Sequence, residues 1–135
     1  MGNVKMVLVV RKDLHMRCGK IAAQVAHAAL KVILEMMSKK SMLHGTMEKW
    51  SLLLSKNTAL YQWLNDKFTK VVVYVNSLEE LLTLKDNAES IGIPTALMID
   101  SGFTEFHGKE TVTALAIGPD KSEKIDRVTS DLPLL

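Results

Sequence analysis

The stretch VLVVRKDLHMRCGKIAAQVAHAAL, residues 7–30, decides the fold, because a strand pattern changes there into a helix pattern. Val4–Val10 is rich in β-branched residues and ends at a charged turn, which is typical of a buried strand. From about Lys20 to Ser38 the chain is full of Ala, Leu, Ile and Met, which predicts a long helix. Its polar residues recur every three or four positions and so share one stripe: Lys20, Gln24, His27, Lys31 and Glu35. Because the rest of that helix is apolar, we expect it to be buried on most of its circumference.

Further along the chain, strand and helix patterns continue to alternate. The predicted elements are a helix over Ala59–Asp66, a strand over Val71–Val75, a helix from the capping box at Ser77 to about Ser90, strands over Thr95–Ile99 and Thr113–Ile117, and a last helix to about Thr129. Gly118-Pro119 is expected to close the last strand, and Asp120 to cap the last helix. The segment Lys39–Asn57 contains the breakers Ser41, His44 and Gly45, and no regular element is predicted for it.

The order β-α-α-β-α-β-β-α indicates one layered α/β domain over residues 1–135, with helices packed on a central sheet. The third and fourth strands are joined by a short loop, which allows an antiparallel pair, so we expect a mixed four-stranded sheet. A chain of 135 residues, 47% hydrophobic and 24% charged, suits a globule with a real core. The single cysteine, Cys18, excludes an internal disulfide framework and favours a reducing compartment.

No stretch approaches the roughly 20 apolar residues of a membrane-spanning helix, so a cytoplasmic protein without a membrane partner is expected. The net charge of +2 conceals a split, because residues 1–70 carry twelve Lys/Arg and four Asp/Glu, whereas residues 71–135 carry five and eleven. Clustered cations of this kind attract polyanions such as nucleic acid. The alternative is that these charges only solvate the surface.

Two loops are predicted to form one site, because ligands of open α/β sheets bind beyond the carboxyl ends of parallel strands. The first loop, Arg11–Gly19, opens the long helix, whose free N–H groups favour anions. Four cations lie in or beside it and make a candidate phosphate-binding surface: Arg11, Lys12, Arg17 and Lys20. The spacing of a P-loop is absent, and a solvated basic turn remains an alternative.

The second loop, Asp100–Lys109, begins with a carboxylate directly after an apolar strand. Asp100 there could act as a base or orient a water molecule, or it could only cap a turn with Ser101 and Gly102. The hydroxyls of Thr104 and Thr113 could bind a substrate oxygen, although turn bonding and β-propensity explain each of them separately. His27 is either a packed histidine or part of the site, because it shares the stripe of Lys20 and Gln24.

A metal site is not expected, because the four histidines lack the spacing of metal ligands: His15, His27, His44 and His107. A Cys18–His27 pair is excluded, because nine helical residues at 1.5 Å each separate the two by about 13 Å.

Three motifs, the opening stretch together with IGIPTALMIDSGFTEF (residues 91–106) and TVTALAIGP (residues 111–119), resemble the archaeal and eukaryotic type of peptidyl-tRNA hydrolase. The resemblance covers residues 4–36 and about 58–135. It implies hydrolysis of the ester that joins a stalled peptide to the 3′ ribose of tRNA, with no metal or cofactor. It also implies a four-stranded mixed sheet with helices on both faces, often in a homodimer.

Carried over position by position, the family's site residues fall on Lys20, Gln24, His27, Asp100, Thr104 and Thr113. In this interpretation the basic loop and Lys20 position the terminal phosphates of tRNA, and Asp100 orients or deprotonates water or the ribose 2′-hydroxyl. Gln24 and the two threonines would hydrogen-bond the ester, and Lys20 would also stabilise the oxyanion.

The sequence departs from the family pattern in three places. Cys18 stands where the family usually has a second lysine, the loop HGKET before Thr113 is one residue longer, and Lys39–Asn57 is extra length. These departures keep two alternatives open: a tRNA- or protein-binding module of the same fold without hydrolase activity, and a hydrolase of a different ester or amide.

Overall fold

The apolar run near the amino terminus forms β1 (Val4–Arg11), which pairs with a strand on each side. The structure is a computed structural model that describes residues 2–102 and 106–135. The other elements follow in chain order: α1 (Cys18–Glu35), β2 (Ser38–Met42), β3 (Met47–Ser51), α2 (Ala59–Asn65), β4 (Lys70–Val75), α3 (Leu78–Ser90), β5 (Thr95–Asp100), β6 (Thr111–Lys121) and α4 (Ser122–Thr129). A turn of 3₁₀ helix, Lys12–Leu14, links β1 to the approach to α1.

The main sheet has four strands in the order β4-β1-β6-β5. β1 is parallel to β4, and β6 is antiparallel to both β1 and β5. The predicted mixed sheet is therefore confirmed. Since β1, β4 and β5 run in the same direction, their carboxyl ends share one edge of the sheet, and the loops that follow β1 and β5 start there.

Helices cover both faces of this sheet, so the three-layer architecture is confirmed. On one face, α3 and α4 pack on alternate residues of the central strands: Val7, Val9, Leu115 and Ile117. On the other face, α1 and α2 pack on the intervening residues: Met6, Leu8, Ala114 and Ala116. The alternation follows from the period of two along a strand. Within the described part of the chain, no helix has both the length and the apolar character needed to cross a membrane.

The Ser77 side chain caps α3 as predicted, and Glu80 reaches back one residue farther than in a standard capping box. The Ser77 hydroxyl accepts a hydrogen bond from the Glu80 N–H at 3.1 Å, and Glu80 Oε2 accepts one from the Asn76 N–H at 3.1 Å. These bonds satisfy two backbone donors at the start of the helix, where intrahelical partners are lacking.

Helix α1 differs from its prediction in extent and burial. It begins at Cys18 and ends at Glu35, and only Gln24, Ala28 and Val32 are buried. The expectation of burial on most of its circumference is wrong, because Leu30 is 59% exposed. The reason is that the stripe of polar residues lies partly against the sheet: buried Gln24 and half-buried Lys20 face the carboxyl end of β5.

Strand β6 continues past the Gly118-Pro119 pair that was expected to close it. The register of β1 and β6 shifts between Lys5 and Val7, so Pro119 lies at a bulge, where a missing N–H is tolerated. Gly118 has a φ of +104°, and a Cβ there would lie 2.9 Å from the Lys5 carbonyl oxygen. The N-cap of α4 is Lys121, not Asp120 as predicted.

The segment with no predicted element contains a two-stranded hairpin, which we call the ribbon (residues 38–51). All ten strand residues of the ribbon are exposed. Its turn has positive φ angles at Leu43, His44 and Gly45, so the last two break the strand as their residue types suggest. Ser41, also expected to be a breaker, lies inside β2.

Candidate active site

The centre of the candidate site is an ion pair between the helix that follows the first nominated loop and the first residue of the second. Asp100 ends β5, and Lys20 lies in the first turn of α1. Lys20 Nζ donates to Asp100 Oδ1 at 2.8 Å, and each side chain is only 12% exposed. Because little water reaches this pair, its electrostatic interaction is screened less than that of a surface pair.

Asp100 accepts two further hydrogen bonds. The Gly102 N–H donates to Oδ2 at 2.9 Å, and Gln24 Nε2 donates to Oδ1 at 3.3 Å. The hydrogen bond from Lys20, helped by those from Gly102 and Gln24, lowers the pKa of the Asp100 carboxyl against the opposing effect of desolvation. Asp100 is therefore a carboxylate at neutral pH, oriented by three donors.

Gly102 is required by the backbone that holds this carboxylate. Its φ is +88°, and a Cβ at this position would lie 2.2 Å from the Lys109 carbonyl oxygen. An L-residue would meet both the positive φ and the clash, so the N–H could not be presented to Asp100 in this geometry.

Behind the ion pair, Gln24 and Thr113 form a buried chain of hydrogen bonds. Thr113 is 0% exposed and Gln24 is 2% exposed. Thr113 Oγ1 donates to Gln24 Oε1 at 2.5 Å, and the Met98 carbonyl oxygen lies farther away, at 3.4 Å. The hydroxyl proton thus goes to the Gln24 oxygen, which leaves the Gln24 amide N–H groups to point at Asp100.

An open depression lies in front of these groups. It is lined by Arg17, Gly19, Ala23 and His27 together with Lys20, Gln24 and Asp100. A Cβ on Gly19 would meet no heavy atom within 4 Å, so the start of α1 is accessible from this side. The structure therefore brings together five of the candidate site residues: Arg17, Lys20, Gln24, His27 and Asp100.

Two of the predicted phosphate ligands point elsewhere. Arg11 donates to both carboxylate oxygens of Asp13, at 2.7 and 3.2 Å, and to the Val112 carbonyl oxygen at 3.1 Å. Lys12 Nζ lies 4.3 Å from the centroid of the Tyr74 ring, on the β4 side. The four cations of the first loop therefore do not form one cluster.

One aromatic contact of the site was not predicted. Lys20 Nζ lies 5.7 Å from the centroid of the Phe106 ring, within range of a cation–π interaction. Two phenylalanines in a mostly polar loop, in a chain with only 5% aromatic residues, were the available signal. Thr104, the remaining predicted site residue, lies outside the described residues.

Comparison with known proteins identifies the family. Residues 4–135 match the model of the peptidyl-tRNA hydrolase PTH2 family. The chain belongs to this family. A peptidyl-tRNA hydrolase of Metallosphaera sedula is 44% identical over 132 residues, which cover 98% of this chain and 100% of the relative. A peptidyl-tRNA hydrolase of Methanopyrus kandleri is 43% identical over 131 residues, covering 97% of each chain.

Membership of the PTH2 family confirms the resemblance carried by the three motifs. Cys18, which replaces the lysine usual in the family, is an exposed free thiol at the start of α1. The basic side chains at this end of the helix are therefore Arg17 and Lys20. Among residues 2–102 and 106–135, no group of three or more His, Cys, Asp and Glu side chains is placed to hold a metal ion.

Proposed function

We propose that this protein hydrolyses the ester bond between the peptide and the 3′ ribose of tRNA in peptidyl-tRNA, which frees the tRNA for reuse. The observation that carries the proposal is the oriented Lys20–Asp100 pair at an open depression, in a chain of the PTH2 family. Water adds to the ester carbonyl, the bond to the ribose oxygen breaks, and that oxygen takes a proton.

The tRNA end is held by positive charge at the start of α1. Arg17 is the N-cap of α1 and Lys20 lies in its first turn, where the helix dipole favours anions, and both line the depression. In this account they position the terminal phosphates. Lys12, which is directed toward β4, contacts phosphates farther along, whereas Arg11 is engaged by Asp13 and the Val112 carbonyl oxygen.

Asp100 orients the nucleophile. A carboxylate with a lowered pKa is a weak base but a good hydrogen-bond acceptor, so it favours aligning a water molecule or the ribose 2′-hydroxyl over fully removing a proton. Lys20 lies beside it and stabilises the negative charge that develops on the carbonyl oxygen.

Gln24 and Thr113 have different roles in this proposal. Gln24 lines the depression and can donate to the ester as well as to Asp100. Thr113 is buried behind it and acts as a positioning residue, because it fixes the orientation of the Gln24 amide. His27 contributes to the substrate-binding wall, and Thr104 remains a candidate ligand of the ester.

We further propose that the protein acts in the cytoplasm, where its substrate arises, and as a homodimer. The exposed apolar row of Ala22, Ala26 and Leu30 on α1 supports the second proposal. Replacing Leu30 by Glu should then lower the mass measured by analytical ultracentrifugation from that of two chains to that of one.

The direct test is release of free tRNA from an aminoacyl-tRNA whose amino group is blocked. The purified protein should release tRNA catalytically, and the Lys121→Ala variant should match it, because Lys121 lies at the far end of β6. Binding of tRNA without cleavage would favour the binding-module alternative. Neither binding nor cleavage would end the tRNA proposal.

A further inference from the structure

The ribbon carries unpartnered positive charge on one of its two faces. In its register, Lys40 lies opposite Lys49, and Met42 lies opposite Met47. Directly opposed residues of an antiparallel pair share a face, so the two lysines stand side by side. Within the described part of the chain, neither ammonium group forms an ion pair or a hydrogen bond.

The opposite face of the ribbon is satisfied internally. Lys39 Nζ lies 4.3 Å from the centroid of the Trp50 ring, and Trp50 Nε1 donates to the Glu48 carboxylate. The charges on this face are thus balanced by neighbours. On the lysine face a like-charged pair opposes folding of the ribbon, which suggests that an anion outside the chain balances it.

The ribbon lies at the other end of the molecule from the candidate active site. Lys20 of α1 contacts Asp100 at the carboxyl end of β5, whereas Lys31 Nζ donates to the Leu97 carbonyl oxygen at 2.7 Å, farther back along the strand. The 18 residues of α1 at 1.5 Å each span about 27 Å. The ribbon begins at Ser38, just beyond the end of α1.

An anion that reaches both places must be long. A stacked CCA end at about 3.4 Å per nucleotide covers only about 10 Å, so phosphates near the ribbon belong to the paired part of a tRNA. α2 and the start of β4 lie at this same end of the sheet. Three more lysines lie in or beside these elements: Lys56, Lys67 and Lys70. The charge of this end therefore suits a polyanion.

We propose that the Lys40–Lys49 face of the ribbon binds the phosphate backbone of the double-helical stem of the tRNA substrate, while the ester lies at Lys20 and Asp100. This inference rests on the proposed function. The stem contact strengthens binding of a whole tRNA and contributes nothing to a substrate that lacks a stem.

The experiment compares two double variants on two substrates. Lys40→Gln with Lys49→Gln removes the proposed contact, and Lys121→Gln with Arg127→Gln removes the same charge from the acidic half of the chain. The substrates are an N-blocked aminoacyl-tRNA and the same ester on a CCA trinucleotide. Both kcat/KM and the affinity for tRNA are measured across a salt series.

The ribbon variant should bind tRNA about tenfold more weakly at low salt, and its slope of log K against log salt should be shallower by about 2. Its kcat/KM on the trinucleotide ester should stay within a factor of two of the parent value. Lys40→Arg with Lys49→Arg should restore both the affinity and the slope.

Equal losses for the two double variants, or equal losses on the two substrates, would overturn the inference. A change in mass of the ribbon variant by analytical ultracentrifugation would overturn it in favour of contact between copies of the chain. If the parent cleaves neither ester, the proposed function fails, and the tRNA-binding slopes of the variants still decide whether the ribbon contacts RNA.

Discussion

At the scale of single residues, Asp100 links α1 to the loop after β5, because it accepts from Lys20 and Gln24 of α1 and from Gly102 of its own loop. Its lowered pKa has a consequence for folding. The unfolded chain binds this proton more readily than the folded one, so the contribution of Asp100 to stability is complete above the usual carboxyl pKa of about 3.9 and is lost as the pH falls through the folded value.

The free energy of unfolding of the parent should therefore exceed that of Asp100→Asn at pH 7, by about 1–3 kcal/mol for a charge-assisted network. The difference should shrink as the pH falls below about 4. Urea titrations of both proteins between pH 3 and 7 measure it. A difference in the free energy of unfolding that grows on acidification would contradict the lowered pKa of Asp100.

Substitutions of Thr113 test whether its hydroxyl positions the Gln24 amide. Thr113→Val keeps the shape but removes the donor, which leaves Gln24 Oε1 buried without its partner and costs about 1–3 kcal/mol of stability. Because the amide can then rotate, kcat should fall about ten- to hundredfold, with a smaller change in KM. Thr113→Ser, which restores the hydroxyl, should recover most of kcat. Steady-state kinetics in which KM alone changes would reject a positioning role.

At the scale of elements, strand patterns were the dependable signal. The apolar runs in β1, β4 and β5 were located within one residue at each end, because short runs rich in β-branched residues and bounded by turn residues favour strands. The ribbon was missed because its strands are exposed along their whole length and show no apolar alternation.

Helix α1 shows which structural feature the hydrophobic periodicity of the sequence does not determine. The pattern located one polar stripe but did not tell which side of the helix faces the sheet. Gln24 faces inward because Thr113 and Asp100 supply its partners, and these belong to strands far away in sequence. For the same reason, the contact of Lys20 with Phe106 could not be predicted.

The cap of α3 is an element that should affect stability alone. Ser77→Ala removes the acceptor for the Glu80 N–H and should lower the free energy of unfolding by about 1 kcal/mol. Ser130→Ala, at a hydroxyl with no hydrogen bond to the described residues, is the matched control. Chemical denaturation measures both variants, and tRNA release per folded molecule should be unchanged in each.

At the scale of the whole molecule, the basic and the acidic halves of the sequence lie in different parts of the structure. Arg17 and Lys20 lie at one end of α1, and Lys40 and Lys49 follow its other end. The acidic half of the chain supplies α3, whose first turn carries Glu79 and Glu80, on the opposite face of the sheet. An RNA that follows α1 therefore passes along the basic half of the chain and avoids the acidic half.

The most direct measurement of the central claim, that Asp100 orients the nucleophile, is the rate of tRNA release by Asp100→Asn. Asp120→Asn is a matched control, because Asp120 also accepts from a backbone N–H and from a lysine, yet lies at the other end of β6. With tRNA affinity and unfolding measured on the same preparations, we predict that release falls by about 10²–10⁴ for Asp100→Asn alone, while its affinity for tRNA is retained. A folded Asp100→Asn protein that releases tRNA within about a factor of three of the parent, a far smaller loss than predicted, would contradict the account.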